Sequence, residues 1–207
     1  MTRSLSSTTA SPLAHADERT TNRAMLRVHP DRGIPDEAAS ILAEGLVAHV
    51  AFAVEGQPFV LPMTYHFDLS RPTNVYLHGA HHSRLVRHLA ACAPVCIEVT
   101  LVDGLVYSRT ALYHSVNYRS VVLFGRAMDP PSAEAQRALL HDMVARYYPG
   151  RTAGRDYEAI PDAHLRATAI IAIAIEEWSA KGRRGGPTGP RDSDPTAPGS
   201  AGVIELR

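Results

Sequence analysis

Cysteine is scarce in this chain, with only Cys92 and Cys96 present. That excludes the disulfide framework that holds small secreted modules together. Both cysteines read as small buried apolar residues, with a redox pair as the less favoured reading. Excess charge is lacking too, because 21 Lys and Arg balance 21 Asp and Glu. A chain without a basic field has no general means of gathering nucleic acid. Long apolar runs are missing. The greasiest, Ile170–Ile175, has the length of a buried strand, and nothing is long enough to span a bilayer. The first residues lack the apolar centre of a signal peptide and carry Asp17 and Glu18. The expectation is a cytoplasmic protein with neither nucleic-acid nor membrane partners. No nucleophile–base pair stands in a distinctive motif. His78, His81, His82 and His88 are close together, but no Cys or carboxylate joins them at ligand spacing, so no metal site is expected. This suits a protein whose chemistry is carried by a bound cofactor.

Taken in order, residues 1–26 read as a disordered tail rich in Ser, Thr and Ala. Pro35, Asp36 and Glu37 open a helix with Ala38, Ile41, Leu42 and Leu46 on its apolar face. Leu46–Val54 is nearly all apolar and predicts a strand buried on both faces. Glu55–Pro58 is a hairpin turn, and Phe59–Phe67 the returning strand, with Pro62 demanding an edge or a bulge. Asn74–Gly79 closes a meander. After a helix at Ser83–Cys92 come strands at Pro94–Val102 and Asn117–Met128, while Asp103–Tyr113 reads as a short helix plus a loop. Ala135, Leu139, Met143 and Tyr147 recur at helical spacing, with Pro149-Gly150 as the stop. Leu165–Trp178 is a long last strand, and Gly, Pro, Arg and Asp dominate beyond it. Hairpin-linked strands with a few helices between them argue for a mainly β fold with α, a closed or nearly closed antiparallel barrel with packed helices.

The stretch Asn74–Val99 organises the rest. It places Ser83 and Arg84 at a helix start, where unpaired N–H groups, a hydroxyl and a guanidinium make a receptor for a phosphate dianion. The simpler reading is an ordinary capped helix with Ser as N-cap and an exposed Arg.

The ordered set of VLPMTYHF (Val60–Phe67), VYLHGA (Val75–Ala80), HSRLVRHL (His82–Leu89), NYRSVVLFGRA (Asn117–Ala127) and EEWSAKGRRGGP (Glu176–Pro187) resembles the FMN-binding split-barrel superfamily that includes pyridoxamine 5'-phosphate oxidase. It is most similar to the branch of nitroimidazole-resistance proteins. The resemblance implies an antiparallel split β-barrel over residues 27–181, a homodimer with FMN at the subunit interface, and a C-terminal tail over 182–207 that can cover the site. It implies that Val60, Leu61, Pro62, Met63, Thr64 and Tyr65 run along the flavin, with Thr64 in reach of the ring. Leu77 and His78 would pass near the ribityl chain and phosphate, and His78 is the candidate for moving protons. Ser83 and Arg84 would hold the phosphate, with Arg87 as a helper, and Tyr118, Arg119 and Ser120 would make further cofactor contacts. The basic residues at the ends of the first flavin strand of vitamin-B6 oxidases are replaced here by Val60 and Tyr65. The implied activity is therefore an FMN-dependent oxidoreductase passing hydride or electrons between a reduced donor and a small organic acceptor or oxygen, rather than B6 oxidation. A deazaflavin in the same groove, and a non-catalytic haem or flavin carrier with histidine iron ligands, stay open as alternatives.

Overall fold

The structure is a computed structural model and describes residues 23–206. The disordered tail expected at 1–26 lies almost wholly outside the described residues. Two short 3-10 turns, Pro30–Arg32 and Pro35–Glu37, lead into helix α1 (Ala38–Glu44). Then come β1 (Ala48–Val54), β2 (Gln57–Met63), β3 (Tyr65–Phe67), β4 (Asn74–Ala80), α2 (Arg84–Ala90), β5 (Pro94–Tyr107), β6 (Ser115–Ala127), α3 (Ala133–Tyr147), α4 (Asp162–Ala167), β7 (Thr168–Arg183) and β8 (Gly202–Glu205). The strands form one antiparallel sheet in the order β2-β1-β5-β6-β7-β4-β3, with β8 added to the far half of β5.

The two end strands, β2 and β3, are consecutive in the chain and separated only by Thr64, yet neither pairs with the other. That is where the barrel is split. The expected single strand Phe59–Phe67 is thus two strands bent apart. Pro62 sits in the edge strand β2, opposite His49, where its missing N–H costs no ladder bond on the open side.

One face of the curled sheet holds the core: Val50 and Phe52 of β1, Leu77 of β4, Ile97 and Val99 of β5, and Leu123 of β6, closed by Ile41 and Leu42 of α1 and Leu85 and Leu89 of α2. β1 is not buried on both faces as its composition suggests. It alternates, with Ala48, Val50 and Phe52 buried and His49 and Ala53 exposed, because among the described residues no layer covers its outer side. The stretch expected as helix plus loop is mostly strand. β5 runs on through a bulge at Asp103 to Tyr107, and only Ala111–Tyr113 makes a 3-10 turn. The pairing of this extension with β6 on one side and β8 on the other supplies its backbone bonds, which no local periodicity announces.

Candidate flavin-phosphate end and redox face

α2 is short, and its capping is as the sequence indicates: Ser83 is extended, and its Oγ accepts the Val86 N–H at 3.2 Å. The helix stays close to β4 because Gly79 has no side chain; a Cβ there would come within 3.3 Å of Val86 Cγ2. Arg84 and His88, one turn apart, face the β1–β2 hairpin. The Phe52 and Phe59 rings stack across that hairpin with centroids 5.4 Å apart, and His88 packs on Phe52 at 5.0 Å. Arg84 lies over Phe59, its guanidinium carbon 4.3 Å from the ring centroid. Among the described residues Arg84 and Arg87 form no ion pair. Arg84 is therefore a cation seated over an aromatic ring, and no partner takes up its hydrogen-bond donors among the described residues.

From that platform β2 leads away as an uncovered edge. Val60 and Leu61 are 60% and 38% exposed, and Pro62 and Thr64 are exposed as well. The five steps of extended chain from Phe59 to Thr64 span about 17 Å. The structure thus brings Val60, Leu61, Pro62, Met63, Thr64, Ser83 and Arg84 to one flank of the split, with Arg87 exposed on the same helix.

Other residues expected at the site stand elsewhere. Tyr65 is fully buried, its hydroxyl donating to Leu42 O at 2.7 Å, and burial pushes its pKa up to about 12. Thr64, not Tyr65, is left to face a ligand. Leu77 is in the core. Tyr118, Arg119 and Ser120 lie on β6, three strands from β2 and hence about 14 Å across the sheet. There Ser120 is buried, and Arg119 donates to Asp103 (2.7 Å) and Glu44 (2.6 Å), tying β6 to β5 and α1.

His78 is half-buried at the end of β4 beside the start of α2. Its Nδ1 is enclosed without a hydrogen-bond partner among the described residues, and burial lowers its pKa. His66 of β3 is alike, its Nδ1 enclosed and unpartnered and its pKa lowered by burial. Tyr76 stands between them: it pairs with His66 across β3–β4, their rings 5.9 Å apart, and precedes His78 by two residues, so all three share a face. Among the described residues no group of three or more metal-binding side chains occurs, and no helix is long and apolar enough to cross a membrane.

Two residues that matter most were not visible in the sequence. Phe59, the platform under Arg84, reads as one more strand aromatic. Arg146 of α3 reads as a helix-surface cation, yet it runs inward, 4.4 Å from the Tyr65 ring centroid, and donates to the carbonyls of Leu42, Ala43 and Gly45 at the end of α1 and to Tyr65 O.

The C-terminal stretch is anchored rather than loose. Asp192 accepts from Ser108 Oγ (2.9 Å), Arg109 N–H (2.8 Å) and Gly189 N–H (2.6 Å), and Arg109 donates to Ala197 O and Gly199 O, which holds β8 against β5.

Against known proteins, the sequence profile described as pyridoxamine 5'-phosphate oxidase matches residues 35–182. No curated protein matches the chain. Among solved structures, the FAD and haem binding protein from Mycobacterium smegmatis is 34% identical with a TM-score of 0.71, over 81% of this chain and 80% of that one. The flavocytochrome Anf3 from Azotobacter vinelandii is 30% identical with a TM-score of 0.77, over 90% of this chain and 85% of that one. A protein described as a 5-nitroimidazole antibiotic resistance protein, from Bacteroides thetaiotaomicron, shares the fold at 20% identity and a TM-score of 0.58, over 70% of this chain and 82% of that one.

Proposed function

The chain belongs to the pyridoxamine 5'-phosphate oxidase family of split barrels, and from that membership we propose that it binds a flavin nucleotide along β2 and serves as a redox protein. The observation that carries this reading is Arg84: a cation over Phe59, without an ionic partner among the described residues, at the head of an apolar edge strand that none of them covers. The residues present fit the group. Arg84 supplies fork-shaped donors for a phosphate, Arg87 a second cation within one turn, and the β2 edge a surface for the ribityl chain and ring. Arg84 would hold the flavin phosphate, and the exposed Thr64 hydroxyl would be available to hydrogen-bond the polar edge of the ring.

When bound, the flavin supplies hydride and electron transfer between a reduced donor and a small organic acceptor or oxygen. The chain supplies the rest. Arg84 fixes the phosphate end and so the register of the ring on β2. Thr64 and the free backbone groups of the edge strand offer donors where negative charge collects on reduction. His78 is neutral at pH 7, because burial disfavours its charged form, and can accept or deliver a proton at its imidazole nitrogens. A second copy of the chain would complete the site: the exposed apolar face of β2 is what a homodimer would cover, and Tyr118, half-exposed and out of reach within one chain, would enter from the other copy. FMN is the cofactor proposed, because Arg84 and Arg87 on α2 suit a single phosphate group; FAD and deazaflavin are outcomes the test distinguishes.

A second reading adds haem. His66 and His78 share a face with their Nδ1 atoms enclosed and unpartnered, and two relatives at 34% and 30% identity are described as a FAD and haem binding protein and a flavocytochrome. Neutral imidazoles are suited to ligating haem iron.

The deciding measurement is the visible spectrum of the freshly purified protein, followed by heat release and chromatography of what is released. FMN in the supernatant supports the proposal as stated, while FAD or a deazaflavin corrects the cofactor. A Soret band lost in His78→Ala supports the second reading. A protein that stays colourless after addition of FMN, FAD and haem overturns both.

A further inference from the structure

Beside the first residues of β7 the sheet has a gap. β6 ends at Ala127, opposite Ile173, and the chain leaves through Met128 toward α3. β7 begins earlier, at Thr168, and is paired there only with β4. Two hydrogen bonds give the phase of the missing pairing. Ile175 N–H donates to Thr73 O on the β4 side at 3.0 Å, and Met128 N–H donates to Ala172 O on the β6 side at 2.8 Å. Backbone groups of successive residues in an antiparallel ladder alternate between neighbours. Residues 171, 173 and 175 therefore turn toward β4, and 170, 172 and 174 toward β6. Ile170 directs both its N–H and its C=O into the gap. Neither finds a partner among the described residues, though Ile170 is only 3% exposed. A buried backbone donor and acceptor left together without partners is uncommon and costly.

The gap is a cavity of about 210 Å³, walled on its apolar side by Val86, Leu89 and Ala90 of α2, Ala127 of β6, and Ile170 and Ile171 of β7, with His81, Asp129 and Gln136 also in its lining. Val86 and Ala90 are on the side of α2 opposite Arg84 and His88, two residues being 200° apart around a helix. The cavity is thus separate from the flank that faces β2. Its volume exceeds the roughly 150 Å³ of an apolar cavity that takes up benzene, which leaves room for a two-ring molecule.

We propose that this cavity binds a small, flat, mostly apolar molecule with a lactam edge. Its N–H donates to Ile170 O and its carbonyl accepts from Ile170 N–H, as the residue of a neighbouring strand would do. The apolar rings lie between α2 and β7.

The test is calorimetric titration of the full chain, with whatever it carries on purification, using quinolin-2(1H)-one and its N-methyl analogue. The analogue keeps the rings and the carbonyl but loses the donor. Saturable uptake of one quinolinone per chain is expected, about tenfold weaker for the analogue because Ile170 O is then left unpaired. Ala90→Leu, at an exposed helix position that tolerates Leu, fills the cavity and should abolish uptake. Ala127→Leu fills it from the opposite wall, so a folding defect in one variant leaves the other to decide. Absence of saturable binding, equal binding of both probes, or undiminished binding in whichever of the two filled variants folds would each overturn the proposal.

Discussion

The guanidinium carbon of Arg84 rests 4.3 Å from the centroid of Phe59, so a cation proposed to hold the flavin phosphate is itself held by the strand proposed to carry the flavin ring. Such a contact is worth about 0.5–1 kcal/mol where exposed. Its larger effect is to hold the guanidinium near β2 before any ligand arrives. Arg84→Ala should weaken flavin binding by about 1.5–3 kcal/mol, the range of a hydrogen bond to a charged group. Arg84→Lys should recover only part of this, since a point charge neither stacks nor binds a phosphate with two parallel donors. Fluorescence titration of the flavin measures both, and a dissociation constant unchanged in Arg84→Ala would remove this residue from the site.

Arg146 is expected to matter for stability rather than for cofactor binding. It satisfies three carbonyls at the end of α1, where the helix dipole is negative, and one on β3. Replacing it with Met leaves Ala43 O and Gly45 O without a side-chain donor, while Leu42 O keeps the Tyr65 hydroxyl and Tyr65 O the Tyr147 hydroxyl. A loss of about 2–4 kcal/mol is expected from unpaired buried polar groups, read as a lower midpoint in urea. A midpoint within error of the parent would show that water replaces the guanidinium without cost.

His66 and His78 set an acid limit. Burial lowers both pKa values, so at mildly acidic pH the unfolded chain binds protons that the folded one does not. Stability is then fully present above the ordinary histidine value near 6.5 and falls as pH drops from there through the depressed folded values. Urea midpoints measured between pH 7 and pH 5 should decline, and the double variant His66→Gln, His78→Gln should flatten that decline. An equally steep decline in the variant would place the proton uptake on other groups.

Arg119 separates two roles for one residue. Its donors go to Asp103 and Glu44, and the guanidinium holds both carboxyls below the usual range. Arg119→Gln should therefore cost about 1–3 kcal/mol of stability through the two carboxylates left behind, while flavin affinity moves by less than about twofold. A large rise in the flavin dissociation constant, with stability intact, would instead make Arg119 a cofactor contact.

How much of this was legible follows from the range over which each interaction acts. The Ser83 cap, the stop at Pro149-Gly150 and the edge position of Pro62 are set within a few residues, and they stand as the sequence indicates. The proposed phosphate end is suggested by the sequence because Ser83 and Arg84 are adjacent. Its platform is not, because Phe59 and Arg84 meet across the split. β5 past Val102 is strand only because β6 and β8, remote in sequence, pair with it. Arg146 shows the same limit: its targets, Leu42 to Gly45 and Tyr65, are more than 80 residues away. Nothing in the helical spacing of α3 distinguishes this inward arginine from an exposed one.

The last prediction concerns what covers β2. Val60 is 60% exposed and points away from the phase of Phe59 and Leu61, so within one chain it packs on little. Val60→Asp should therefore change the stability of an isolated chain by less than about 0.5 kcal/mol, as surface substitutions do. If β2 lies at the centre of a homodimer, the same change buries a carboxylate without a partner, which association cannot tolerate. Light scattering after size exclusion should then show a dimer for the parent and a monomer for Val60→Asp, and flavin should be lost together with the dimer. A variant that remains dimeric would put the interface elsewhere; a monomeric variant that still retains flavin would show that one chain holds the cofactor by itself, with Arg84, Phe59 and Thr64 sufficient for the task.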